Sequence, residues 1–299
     1  KGLFHRAIPL SGSCDFLADM ERGYEQGREL VENMGCSGKE VLSCLRSKPF
    51  TDFIPKAKNT MLAGGVTFSP HIDGYVIPDE PFKLIQKGEF NKVPIMVGTT
   101  KEELKLYTLT FSGQWLLTKG EVNYLIKKLM GKEIANELPQ YYSYSDYRLP
   151  KDYLLGTATD LAFSSRAFLM AEYASDYVPV YFYRFDWNRT RYPNKLGAFH
   201  GLDIPFVFGA MDLDTKLAKM LANKKSYEQG KPLSEQMMSY YANFARAGDP
   251  NQEGLPKWEA YSKTNMVRIY FNTPITSADL SEKELAQYNF WTKYSLAQL

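Results

Sequence analysis

The sequence predicts an α/β fold: a mostly parallel sheet with helices on both faces. Two observations carry this. The segment Val178-Pro179-Val180-Tyr181-Phe182-Tyr183-Arg184-Phe185 is nearly continuous in apolar and aromatic residues, as expected of a strand covered on both faces. Compact runs of this kind are separated by stretches of helical spacing, the pattern that builds parallel strands joined by helices. At 299 residues the chain is long enough for a large core. A single domain over residues 1–299 is expected, because α/β folds often run to about 200–250 residues or more as one unit.

Taken in order, Arg6-Ala7-Ile8-Pro9-Leu10-Ser11-Gly12-Ser13 reads as a short buried strand ending in a turn. Helical spacing with mixed charge covers 18–34, and a second short helix covers 39–48. Residues 68–81 are rich in turn formers, with Asp73-Gly74 and Pro78-Asp79-Glu80-Pro81 as punctuation. Val93-Pro94-Ile95-Met96-Val97-Gly98 is a compact apolar strand, and helices are expected over 119–130 and 158–176. After the strand at 178–185 come an amphipathic helix at 234–247, stopped by Gly248-Asp249-Pro250, a late strand at 266–271 and a terminal helix at 281–297. Three or four strands are too few for a sheet of this size, so its remainder is expected upstream of Lys1. The opening Lys1-Gly2-Leu3-Phe4, which lacks Met and enters an apolar run at once, fits a trimmed chain.

Composition narrows the classes. Charged residues balance, 36 basic against 34 acidic for a net charge of +2, so nothing favours nucleic acid or an anionic membrane surface as a partner. No run approaches the roughly 18 apolar residues of a membrane span. The three cysteines, Cys14, Cys36 and Cys44, form no CxxC or Cys/His grouping, and neither a metal nor a cofactor is expected. Spacing alone leaves Cys36 and Cys44 open between buried thiols and a disulfide.

Three histidines are present, so each is weighed. His5 stands in a polar patch beside Arg6, and His71 in a turn before Ile72-Asp73-Gly74. His200 differs: it lies on the Gly-flanked loop Gly197-Ala198-Phe199-His200-Gly201, soon after the clearest strand. α/β sheets place reactive groups outside the carboxyl ends of their strands. Glu102 and Glu103 follow another buried strand in the same way, in Gly98-Thr99-Thr100-Lys101-Glu102-Glu103. An imidazole acting as a general base needs a partner on Nδ1, and a carboxylate fills that role. On these residues alone a solvated charged turn and a packed loop histidine remain open. No serine stands in a G-x-S-x-G elbow, and no HGGG-type segment is present.

At these positions the sequence resembles the type-B carboxylesterase family, which includes cholinesterases and bacterial para-nitrobenzyl esterases. The opening Gly2-Leu3-Phe4-His5-Arg6-Ala7-Ile8 through Ser11-Gly12-Ser13 is similar to the family's GLFxrAIxxSGS segment. Phe68-Ser69-Pro70-His71-Ile72-Asp73-Gly74 resembles its F-x-P-v-v-D-G turn. Asn243-Phe244-Ala245-Arg246-Ala247-Gly248-Asp249-Pro250-Asn251, followed by Leu255-Pro256-Lys257-Trp258, resembles F-A-r-x-G-x-P-N…L-P-x-W.

The resemblance implies an α/β-hydrolase fold, of which this chain is the C-terminal portion, and a carboxylic ester hydrolase acting by serine acyl transfer. It puts the triad acid on Glu103 and the triad histidine on His200, with Ser11 in support; Leu104 stands where the family has Gly. The substrate implied is a small-molecule carboxylic ester. The nucleophilic serine and the oxyanion hole would come from a complementary N-terminal portion, so the 299 residues alone are expected to be inactive. The family's cysteine loop maps onto Cys36 and Cys44, implying a disulfide that stabilises by about 2.6 kcal/mol from loop closure, with Cys14 outside it. That disulfide favours a secreted or periplasmic protein over a cytoplasmic one. The alternative within the family is a non-catalytic cholinesterase-like binding or adhesion protein; retention of both Glu103 and His200 favours the enzyme.

Overall fold

The computed structural model describes residues 2–12, 14–56, 70–109, 117–210 and 224–294. It forms two compact units, one of residues 14–83 with 294–299 and one of residues 1–13 with 84–293. In chain order the elements are α1 (Met20–Asn33), α2 (Val41–Ser47), α3 (Phe50–Lys56), α4 (Pro81–Gln86), β1 (Ile95–Thr100), α5 (Lys119–Met130), α6 (Lys132–Glu137), α7 (Pro150–Thr159) and α8 (Ser165–Ala174). Then come β2 (Val180–Phe185), α9 (Pro193–Leu196), α10 (Ile204–Val207), α11 (Lys224–Ala247), β3 (Val267–Phe271), β4 (Thr276–Asp279) and α12 (Glu282–Trp291).

In the smaller unit, α1 begins at Asp19, whose carboxylate accepts the Arg22 backbone N–H at 2.7 Å and so satisfies a donor that the helix leaves unpaired. Cys36 and Cys44 are joined by a disulfide, with Cα atoms 5.8 Å apart. The Asp73-Gly74 turn is closed by the Asp73 carboxylate, which accepts the backbone N–H groups of Tyr75, Val76 and Ile77. Phe68 and Ser69, the start of that motif, lie outside the described residues.

The larger unit is built on a four-stranded sheet in the order β1-β2-β3-β4 among the described residues. β1, β2 and β3 run parallel, and β4 closes the edge antiparallel. All of β1 is buried. Before it, residues 7–10 pair with β1 only through the parallel bridges Ala7 to Ile95 and Leu10 to Gly98. The Ala7 and Ser11 N–H groups donate to the Pro94 and Gly98 carbonyls. Pro9 falls midway between those two donors and has no N–H, which is why the strand expected at 6–13 is reduced to bridges.

One face of the sheet shows both secondary-structure periods at once. Tyr181, Tyr183 and Phe185 of β2, with Ile269 and Phe271 of β3, recur at every second residue. Leu233, Met237, Tyr240, Tyr241 and Phe244 of α11 recur at helical spacing and pack against them, with Trp187, Phe206 and Trp258 filling the layer. Side chains of this size contribute roughly 1.5–3 kcal/mol each when fully buried. Gly98 is dictated by this packing, since a Cβ there would collide with the Tyr183 backbone carbonyl.

The opposite face holds charge. Arg184 of β2 forks onto Asp186 at 2.6 and 2.8 Å and reaches Glu284 of α12 at 2.8 Å. Arg268 of β3, 1% exposed, also bonds Glu284 and donates to the Tyr288 hydroxyl oxygen at 3.0 Å.

Three further elements depart from the sequence expectation. The stretch 158–176 is helical as far as Ala174 but starts earlier, at Pro150, and it contains a π-turn, Asp160–Ser164, between α7 and α8. α11 starts well before 234, at Lys224, running through Pro232, a residue that ordinarily marks a helix boundary. β4 is wholly exposed, and its Thr-Ser-Ala-Asp sequence carries no apolar alternation to read.

Glu284 tests how much the charged face matters. Burial raises its carboxyl pKa, but the Arg268 and Arg184 guanidinium groups overcome this and hold it at about 2, against 4.5 for the ordinary group. A depressed pKa stabilises the fold above the unfolded value and is lost as pH falls through the folded one. Glu284→Gln is expected to lower stability by about 2–3 kcal/mol near pH 7. In urea denaturation the gap from the unsubstituted chain closes as pH drops from about 5 toward about 2; a pH-independent gap would refute the assignment.

Candidate active site

Two loops leave the carboxyl ends of the parallel strands β1 and β2 and are locked together by their backbones. The Lys101 N–H donates to the Phe185 carbonyl at 3.0 Å, the Glu102 N–H to Ala198 at 2.9 Å and the His200 N–H to Glu103 at 3.2 Å. Gly197 adopts a φ of +58°, and a Cβ at that position would run into the Glu102 carboxylate. Both demands select glycine. Gly201, at φ +78°, turns the chain away immediately after His200.

Glu103 is fully buried, and its carboxylate has three partners. Oε1 accepts the Ser11 hydroxyl and the Thr100 N–H, each at 2.6 Å, while Oε2 lies 2.6 Å from His200 Nδ1. Since a carboxylate only accepts, the proton in the last contact sits on Nδ1. The bond to Glu103 raises the His200 pKa above its usual value, opposed by burial of the ring. The His200 side chain is 34% exposed, so the imidazole remains accessible.

Ser11 is held for this contact. Among the described residues it is the one non-glycine in the left-handed region, with φ +52°; such a conformation costs on the order of 1 kcal/mol. Its N–H is fixed on the Gly98 carbonyl at 2.9 Å.

The structure therefore brings together Glu103, His200 and Ser11, which the sequence singled out. Glu102 points elsewhere, pairing with Lys105 at 3.0 Å and accepting the Ala198 N–H at 2.7 Å. His5 is exposed, and His71 belongs to the smaller unit, against Gly23. Leu104 is buried and its N–H donates to the Thr159 hydroxyl at 3.3 Å, so the departure from the family's Gly leaves the Glu103 contacts intact.

Three participants carried no sequence signal. Thr100 contributes only its backbone N–H. Phe163 packs against the His200 ring with centroids 5.3 Å apart. Asp203 is 1% exposed, and burial, reinforced by the Glu103 charge, pushes its carboxyl up to about 7.

Parallel strands carrying an acid and then a histidine on consecutive carboxyl-end loops, in that chain order, define an α/β-hydrolase. The particular family emerges from comparison: the Carboxylesterase family model matches residues 1–291, and the chain belongs to that family. It is 29% identical to the para-nitrobenzyl esterase of Bacillus subtilis across 98% of this chain and 58% of that one. Carboxylesterase 5A of Felis catus is 31% identical across 97% of this chain and 54% of the relative. Solved structures with the same fold include a PNB esterase, with a TM-score of 0.74 at 28% identity over 96% of this chain and 58% of that one. A carboxylesterase of Geobacillus stearothermophilus has a TM-score of 0.78 at 26% identity, covering 96% of this chain and 59% of the other. The chain thus spans just over half the length of the relatives it matches.

The Glu103 contact sets the direction of a titration test. Removing the negative charge in Glu103→Gln removes the main cause that raises the His200 pKa. The imidazole midpoint, followed by NMR, is expected to fall, because burial then acts without its counterweight. A midpoint that stays or rises would show that another group holds the His200 proton. In the same loop, Gly197→Ala is expected to cost about 1–2 kcal/mol in denaturation experiments, chiefly through the positive φ that alanine adopts poorly; an unchanged stability would remove that constraint.

Proposed function

We propose that this chain is the acid- and histidine-bearing portion of a carboxylic ester hydrolase that works by serine acyl transfer. The observation that carries the reading is the 2.6 Å contact from a fully buried Glu103 carboxylate to Nδ1 of an accessible His200. The names of the relatives, a para-nitrobenzyl esterase and carboxylesterases, support an ester as substrate. A complementary N-terminal portion would supply the nucleophilic serine and the oxyanion hole.

In this mechanism Nε2 of His200 accepts the serine proton as the serine oxygen attacks the ester carbonyl. Glu103 keeps the ring in the Nδ1–H tautomer and stabilises the imidazolium. His200 then protonates the leaving alcohol as the tetrahedral intermediate collapses to an acyl-enzyme. Water repeats the sequence: it gives a proton to His200, attacks the acyl carbon and releases the acid, with the proton returned to serine. Ser11 and the Thr100 N–H both donate to Oε1, which leaves Oε2 facing His200.

The Cys36–Cys44 disulfide supports an exported protein, secreted or periplasmic. On the same reading residues 1–299 form part of one α/β-hydrolase domain, with 14–83 as an insertion in its sequence.

The test is an assay of a short-chain p-nitrophenyl ester by the 299-residue chain alone, then with the complementary N-terminal portion added. The chain alone is expected to show no hydrolysis that depends on His200, and activity is expected to appear on reconstitution. His200→Ala in the reconstituted protein should cost about 10³-fold or more. Hydrolysis by the chain alone that His200→Ala abolishes would place a nucleophile within these residues and overturn the proposal.

A further inference from the structure

Between α7 and α8 the helix widens for a single turn, Asp160–Ser164. A π-turn of this kind inserts a residue into the helix, rotates the next turns about the axis, and recurs at functional sites. Here it is secured by buried groups. The Leu161 carbonyl accepts both the Ser165 hydroxyl at 3.2 Å and the Arg166 Nε–H at 2.9 Å. The Arg166 guanidinium, 2% exposed, also donates to the Trp291 carbonyl at 3.1 Å. Asp160 accepts the Tyr142 hydroxyl at 2.9 Å. Thr159, just before the turn, accepts the N–H of Leu104, the residue after Glu103. The turn is therefore anchored on one side to α12 and on the other to the loop carrying the acid.

The residue it presents to the site is Phe163, 5% exposed, whose ring lies 5.3 Å from the His200 imidazole at an interplanar angle of 49°. A neighbour packed against a histidine ring removes alternative orientations of the imidazole. We propose that the π-turn is a positioning device: it delivers Phe163 against His200 so that Nδ1 stays on Glu103 while Nε2 stays aimed at the nucleophile. This rests on the hydrolase reading above. Phe163 acts through His200 and is a positioning residue, not one that exchanges protons. Titratable groups that bear on His200 include Glu103, through Nδ1, and Asp203, through its charge. Phe163 contributes apolar cover, which disfavours the charged ring.

The test uses the reconstituted esterase with Phe163→Ala and Phe163→Leu, read as kcat, KM and the pH profile of kcat/KM. Phe163→Ala is expected to lower kcat about tenfold with KM within about twofold, since misplacing a catalytic group acts on the chemical step. Its acid limb should move to higher pH, because water admitted to the ring favours the imidazolium and only neutral His200 accepts the serine proton. Phe163→Leu restores apolar cover and should recover most of both effects. Should the alanine variant fail to fold, the leucine variant carries the test: a kcat loss of about twofold to threefold with a smaller shift of the acid limb supports the proposal. Unchanged kcat and acid limb, or a loss confined to KM, would overturn it. His200→Ala measured alongside separates the two questions: retained activity there defeats the hydrolase reading, whereas its loss beside an unaffected Phe163 variant defeats only this inference.

Discussion

A carboxylate with no solvent exposure is costly to bury unless it is hydrogen-bonded and paired. Both oxygens of Glu103 are engaged by donors from three parts of the chain: the Ser11 hydroxyl before β1, the Thr100 N–H at its end and the His200 ring beyond β2. The surrounding backbone is shaped by this requirement. Ser11 takes a left-handed conformation, the loops after β1 and β2 pair with each other, and glycine is needed at 197 where the Glu102 carboxylate passes beneath. A small change in any of these would leave a buried charge short of a partner, and that cost exceeds the strain of keeping the geometry.

The sheet makes such alignment possible. Its parallel register sets β1 beside β2 so that Thr100 lies opposite Phe185, and both strands release their loops at the same level. An aromatic layer on one face and a guanidinium–carboxylate network on the other fix that register. A slip by one residue would turn the Tyr181, Tyr183, Phe185 set toward Arg268 and Glu284. The apolar face thus specifies the register by exclusion, and the ionic face by direction.

The sequence showed the elements whose signal is local. The strand at 180–185 was legible from its unbroken apolar run, α5 from its helical spacing, and the site pair from a carboxylate and a histidine each placed after a buried strand in the order of the fold. The resemblance to type-B carboxylesterases separated Glu103 from Glu102 and pointed to Ser11 and to the Cys36–Cys44 disulfide. β4 was not legible, because an exposed edge strand of Thr276-Ser277-Ala278-Asp279 buries nothing and has no period. The π-turn was hidden for another reason: its side chains keep an ordinary helical composition, and the wider turn shows only in the folded backbone.

What the sequence determined by itself was the kind of fold, the strands and helices with strong periodicity, and the residue types available for acid–base chemistry. Tertiary structure alone decided how those residues meet. Glu103 and His200 stand 97 positions apart, and Ser11 and Glu103 stand 92 apart. No local pattern encodes a donor such as the Thr100 N–H, which every residue but proline owns, or a neighbour such as Phe163, which reads as one more core aromatic. Their roles arise only when parallel strands bring distant loops to one edge. There the burial of a single carboxylate assigns each nearby group a place by the hydrogen bond it can supply.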